Sequence, residues 1–208
     1  MNVAQALGLP LELATLQQLI KGFLSASVSW RWTVQGFGLL RFDLADIARI
    51  HIWDSRLRYD PDVSTIHDHS WRLRSLIVAG LLKNQRYVVA ESLVAHMGDD
   101  PAAIYHGATI VAGVHSDLKL SNQRVVRLRA FEQEYYLPGY HYTQEAAELH
   151  ETIAEDGTVT LMERKHDGPT GEANVFWPYG TIWKHAKPRP ATPDEVHAVV
   201  TNALKRFP

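Results

Sequence analysis

The sequence predicts an all-β, jelly-roll barrel with one helix at each end. Three observations carry that prediction. Short segments of alternating or continuous apolar residues succeed one another from Ser29 to Arg164, turn-forming residues separate them, and helical apolar spacing is confined to the two termini. The chain is expected to be a single domain over residues 1–208: an N-terminal helical extension (1–28), a β-barrel (29–185) and a C-terminal helix (192–207).

Leu11, Leu13, Leu16, Leu19, Ile20 and Phe23 recur at helical spacing, so an amphipathic helix is expected over Leu9 to Phe23, on the outside of the barrel. Trp30, Trp32, Val34 and then Leu39, Leu40, Phe42 follow as strands interrupted by Gly36 and Gly38. Ala48 to Trp53 is a further strand, with Arg49, His51 and Trp53 on one face. Strands are expected at Thr65 to Gly80, Gln85 to Val94, Arg124 to Phe131, Ala146 to Ile153 and Thr158 to Arg164. The last two are joined by Glu155-Asp156-Gly157 as a hairpin, because Asp-Gly suits the tight turn of paired strands. Met97 to Ser121 is expected to be a loop over one barrel mouth. The final helix has Thr192 as cap, Pro193 at its first position, Asp194 and Glu195 in its first turn, and Lys205 and Arg206 in its last.

Composition narrows the function classes. A net charge of −2 gives no basic excess for nucleic acid or an acidic membrane surface, so neither is expected as a partner. With no cysteine, disulfides, thiolate metal sites and a cysteine nucleophile are excluded, and any metal must sit on His, Asp or Glu. The N-terminus lacks the basic start and apolar run of a signal peptide and no stretch is long enough to span a bilayer, so the expected compartment is the cytoplasm. No phosphate-binding Gly loop, Gly-x-Ser-x-Gly elbow or helical His-Glu-x-x-His is present.

The sharpest local feature is His67-Asp68-His69. Alternate residues of a strand point the same way, so the pair delivers two imidazoles to one side, a donor set that suits a first-row metal. Two spaced patterns surround it. Pro61, five residues, His67-x-His69, Leu73 and Gly80 form the first; Gly139, Glu145, Ala147, His150 and Ala154 form the second. These spacings resemble the two motifs of the cupin superfamily, with Leu73 in place of a glutamate, Glu145 and Ala147 in place of proline and glycine, and Ala154 in place of asparagine. The resemblance implies a double-stranded β-helix and a metal held by His67, His69 and His150. His141, in Pro138-Gly139-Tyr140-His141, is the rival third ligand. It lies nine residues before His150, about 30 Å of extended chain, and farther from the Asp156-Gly157 turn.

Without the glutamate, three neutral imidazoles leave a bound ion its full charge, which favours anionic ligands. Within the superfamily this set is similar to the three-histidine thiol dioxygenases of the cysteine dioxygenase type, and Ile66 to Ser70, with Ser75 and Gly80, resembles their metal-binding strand. The resemblance implies iron(II), with zinc, nickel or manganese as alternatives, and dioxygen as co-substrate. It also implies a small anionic substrate such as a thiol, Arg41 on that substrate's carboxylate, and a homodimer paired through sheet edges. His51 and Trp71 are expected to line the cavity. Arg72 and Arg74 alternate against the histidines and should point away. Arg56 and Arg58 are further candidates for an anion clamp. Glu148 and Glu151 flank His150 on the opposite face. His96, His106 and His115 are expected to be solvated, His166, His185 and His197 to be peripheral, and Phe176 to Tyr179 with Trp183 to pack or to meet a second copy. The expected function is a non-haem iron(II)-dependent dioxygenase. The alternatives are a metal-dependent isomerase or lyase on a sugar or keto acid, and a barrel that binds a small ligand without turning it over.

Overall fold

The computed structural model describes residues 12–44, 48–58, 65–90, 104–111, 119–165, 172–183 and 187–208. The described chain begins with helix α1 (Leu13–Ala26) and a 3-10 turn (Ser27–Ser29). Strands follow: β1 (Thr33–Gln35), β2 (Phe37–Asp43), β3 (Ala48–Arg58), β4 (Ile66–His67), β5 (Arg72–Ala79), β6 (Leu82–Ala90) and β7 (Ile104–Val111). Next come β8 (Lys119–Tyr136), β9 (His141–Gln144), β10 (His150–Ala154), β11 (Val159–Lys165), β12 (Glu172–Pro178) and β13 (Arg189–Pro190), and helix α2 (Pro193–Leu204) closes the chain.

The strands form two antiparallel sheets. One has seven strands in the order β13-β1-β2-β3-β11-β5-β9; the other runs β10-β4-β12-β7-β8-β6 and closes on itself where β6 pairs with β10. The all-β class is therefore observed. Against the outer face of the first sheet pack both helices: Leu16, Ile20 and Leu24 of α1 and Val196, Val199 and Val200 of α2 share one apolar core with Leu40, Ile50 and Ile52. Burying residues of this kind contributes roughly 1.5–3 kcal/mol each, which ties the two chain ends to the sheet. Gln17 of α1 adds a buried hydrogen bond, its Nε2 donating to the Val78 carbonyl at 2.8 Å. Neither helix is long and apolar enough to cross a membrane.

Several sequence expectations are corrected. The Asp156-Gly157 turn exists, with Gly157 at φ +84°, but β10 and β11 are not a hairpin. β10 pairs with β4 and β6 while β11 pairs with β3 and β5, so the turn carries the chain from one sheet to the other. Turn chemistry specifies a reversal but not the partner. Here Asp156 is tied to Ser55, whose backbone N–H donates to Oδ1 at 2.7 Å. Likewise Thr65 to Gly80 is not one strand: β4 and β5 lie in different sheets, separated by a bend at Ser70 and Trp71.

Within the expected loop from Met97 to Ser121, Ile104–Val111 is strand β7, paired with both β8 and β12; residues 97–103 and 112–118 lie outside those described. Gly107 has the composition of a loop but not its conformation. It lies in a strand, paired with Phe176 of β12 and Arg124 of β8, and it is glycine because a Cβ there would fall 2.6 Å from the Phe176 ring. β8 extends to 18 residues, longer than Arg124 to Phe131, and α2 ends at Leu204, leaving Lys205 as its C-cap and Arg206 beyond, bonded to Glu155. The capping box of Thr192 and Glu195 forms as its residues require.

Candidate metal centre

His67 ends β4 and faces His150 directly across the β4–β10 pairing, so antiparallel geometry alone puts both side chains on one face. His69 follows two residues on. Ring centroids lie 4.7 Å apart for His67–His69, 4.7 Å for His67–His150 and 5.1 Å for His69–His150. One ligand nitrogen from each comes within 4.8 Å of the others, a group that could hold a metal ion.

Two of the imidazoles have their tautomer set by the backbone. His67 Nδ1 lies 2.9 Å from the Thr65 carbonyl, and His150 Nδ1 lies 3.0 Å from the Glu148 carbonyl. A carbonyl only accepts, so each Nδ1 carries the proton and each Nε2 keeps a lone pair for a metal. Burial holds the imidazoles neutral: it lowers His67, depresses His69 well below the ordinary value with help from His67 and His150, and takes His150 down to about 3. The rings are wedged as well. Phe37 stacks on His67 at 5.3 Å, and Trp71 stacks on His69 at 4.2 Å.

The segment is pinned from behind. Asp68, buried between the two histidines, accepts from the Asn174 backbone N–H at 2.6 Å and from its Nδ2 at 2.7 Å. The Ala147 N–H donates to the His69 carbonyl at 2.8 Å, and Ala147 holds φ +61°, a left-handed conformation that favours glycine. That is the position where the second motif has its glycine.

The three histidines open into a cavity of about 250 Å³ that Arg41, His51 and Trp71 also line. His51 lies opposite Arg41 across β2–β3, and burial, reinforced by Arg49 and Arg41, lowers its pKa to about 3. Leu73 faces the same space, and Ser75 continues the row. Arg72 and Arg74 are not among the lining residues; they contact Glu145 and His141 instead. His141 is likewise outside the lining, since on β9 its neighbour Tyr142 takes the inward position opposite Ser75. Glu148 pairs with Arg86 and Glu151 with Tyr87 and Thr65, neither on the cavity wall. Arg56 binds Asp54, away from the cavity.

Of the other histidines, His106 stacks with Trp177 and Tyr179, at 5.5 and 4.9 Å, and His197 lies on α2. His96, His115, His166 and His185 fall outside the described residues, as does Pro61 of the first spacing. Sequence reasoning passed over Arg49, Phe37 and Tyr142 as site residues. Arg49 had a signal, the alternation with His51 on β3; Tyr142 was masked by the more conspicuous His141. No model of a known protein family matches the chain, and a search of curated proteins finds no match.

Proposed function

We propose that the protein is a cupin-type, non-haem iron(II)-dependent dioxygenase acting on a small anionic substrate, a thiol acid being the first candidate. The observation that carries this reading is the donor set: three neutral imidazoles on one cavity, two with their Nε2 lone pairs fixed by backbone acceptors, and a leucine where a fourth, acidic ligand would sit. Such a set suits a divalent first-row ion and leaves it open positions. Bound iron(II) would supply the redox chemistry that dioxygen requires to react with a closed-shell thiolate.

The chain's own residues do the rest. His67, His69 and His150 hold the ion, Phe37 and Trp71 fix two of the rings by stacking, and the apolar wall around Leu39, Leu73 and Met162 excludes water. Arg41 binds the substrate's carboxylate, and neutral His51 offers one donor and one acceptor. The ring closure of the second sheet through β10 and the conformation of Ala147 support the cupin comparison, which also brings the proposal of a homodimer.

The test is metal analysis of protein expressed in iron-rich medium, followed by iron(II) reconstitution and oxygen-electrode measurements with thiol acids. Near-stoichiometric metal and substrate-dependent oxygen uptake are expected. Less than about a tenth of an equivalent of any transition metal, with no binding on reconstitution, overturns the proposal. A substrate turned over equally well without oxygen removes the dioxygenase reading and favours an isomerase or lyase.

A further inference from the structure

The cavity has a marked asymmetry of charge. Among the described residues lining it are two guanidinium groups, Arg41 and Arg49, and no aspartate or glutamate. Both arginines reach for the same carboxylate outside the lining: Arg49 Nε lies 2.9 Å from Asp43 Oδ1, and Arg41 Nη2 lies 3.3 Å from Oδ2. The two guanidinium side chains are 25% and 15% exposed against 49% for Asp43, so the acid tethers them from the rim. One carboxylate does not neutralise two guanidiniums, and Arg41 Nε is buried with no hydrogen-bond acceptor among the described residues.

Burial lowers the Arg49 pKa, the Arg41 and Arg164 charges lower it further, and Asp43 opposes them. A bound carboxylate would add a second anion to the pair and an acceptor for the free Arg41 Nε. Arg49 also stands over the Trp71 ring, 6.0 Å from its centroid, while Trp71 stacks on His69. A ligand bound to Arg49 is therefore one aromatic ring from the metal-binding histidines.

We propose that Arg41 and Arg49 form a two-cation subsite for the carboxylate of a substrate that carries no ammonium group, so that the cavity takes simple organic acids and rejects amino acids and amines. The proposal rests on reading this cavity as the substrate pocket and adds to it the substrate's charge pattern. An ammonium entering with the acid would lose its hydration beside two cations and find only neutral acceptors, such as Ser75, Thr152 and Gln35. The free acid meets no such penalty.

The test uses metal-free full-length protein, titrated with propionate, alanine and ethylammonium at constant ionic strength and followed by ligand-observed NMR. Propionate should bind saturably, alanine at least tenfold more weakly, and ethylammonium not at all. Arg49→Gln should weaken propionate at least tenfold, and Arg49→Lys, which keeps the charge and loses the fork, should recover part of it. Circular dichroism confirms that each variant is folded. Alanine binding as tightly as propionate, or Arg49→Gln leaving propionate unchanged, overturns the proposal. Because no metal is present, the result is independent of whether iron binds: propionate selectivity in a protein that takes up no iron would leave the subsite standing and remove the dioxygenase.

Discussion

His67 and His150 stand opposite one another where β4 meets β10, their rings 4.7 Å apart, so the contact that joins these two strands also supplies two of the three histidines of the candidate metal centre. Strand pairing and ligand geometry are thus the same interaction, and a disturbance of one reaches the other.

Replacement of either partner should therefore abolish tight metal binding. His150→Gln and His67→Gln are each expected to lower cobalt(II) or zinc affinity by at least about a hundredfold, whereas His141→Gln, which is not on the cavity wall, should leave it within about twofold. Competition against a chromophoric chelator measures all three. Loss of binding in His141→Gln with retention in His150→Gln would reverse the ligand assignment.

Acid should destabilise the metal-free protein well before its carboxylates protonate. His51 and His150 are lowered to about 3 by burial, from an ordinary value of 6.5. Between those values the unfolded chain binds protons that the folded chain does not, so unfolding free energy falls as pH falls, by the order of 1 kcal/mol per pH unit for each histidine. Glu195, held near 2 by its hydrogen bond to Arg189, stays charged across the window from pH 7.5 to 5.0. Urea midpoints at these two pH values measure the slope, and equal midpoints would rule out buried neutral histidines.

Asn174→Ala should loosen the segment that carries His67 and His69 without touching either histidine. It removes the Nδ2 donor at 2.7 Å from buried Asp68, leaving that carboxylate with less compensation. A cost of about 1–3 kcal/mol in urea unfolding is expected, together with roughly a tenfold loss of metal affinity. Unchanged metal affinity in a measurably destabilised variant would separate Asp68 from the site.

Gly80→Ala and Gly180→Ala form a matched pair. Both glycines have positive φ, +86° and +82°, but a Cβ at residue 80 would lie 2.7 Å from the Thr158 Cα, while residue 180 has nothing within 4 Å. Gly180→Ala should cost only the backbone term, about 1 kcal/mol, and Gly80→Ala roughly 3 kcal/mol or more, because backbone cannot step aside. Similar melting temperatures for the two variants would contradict the close approach of β5–β6 and Thr158.

Much of the site was legible because it depends on local rules. Alternation set Leu73 and Ser75 on one face of β5 and Arg49 and His51 on one face of β3; that His67, His69 and Trp71 face the same cavity across the bend from β4 to β5 is a result of how the two sheets meet. The α2 capping box needed nothing beyond its own four residues, Thr192 to Glu195. What failed was strand partnership. Asp156-Gly157 announced a turn, yet the strands on either side joined different sheets, and Gly107 suggested a loop where Phe176 had taken the space a side chain would fill.

The amino-acid sequence by itself therefore determined which histidines lie on one face, where the chain turns, and that no thiolate could serve the site. Tertiary structure decided that β10 meets β4, which sets His150, the third histidine expected by resemblance, beside His67, and that Arg49 joins Arg41 beside the cavity. The physical reason is range. Alternation and turn chemistry act over a few residues, whereas the burial and pairing that bring residue 67 to residue 150 are settled only when both sheets compete for the same strands.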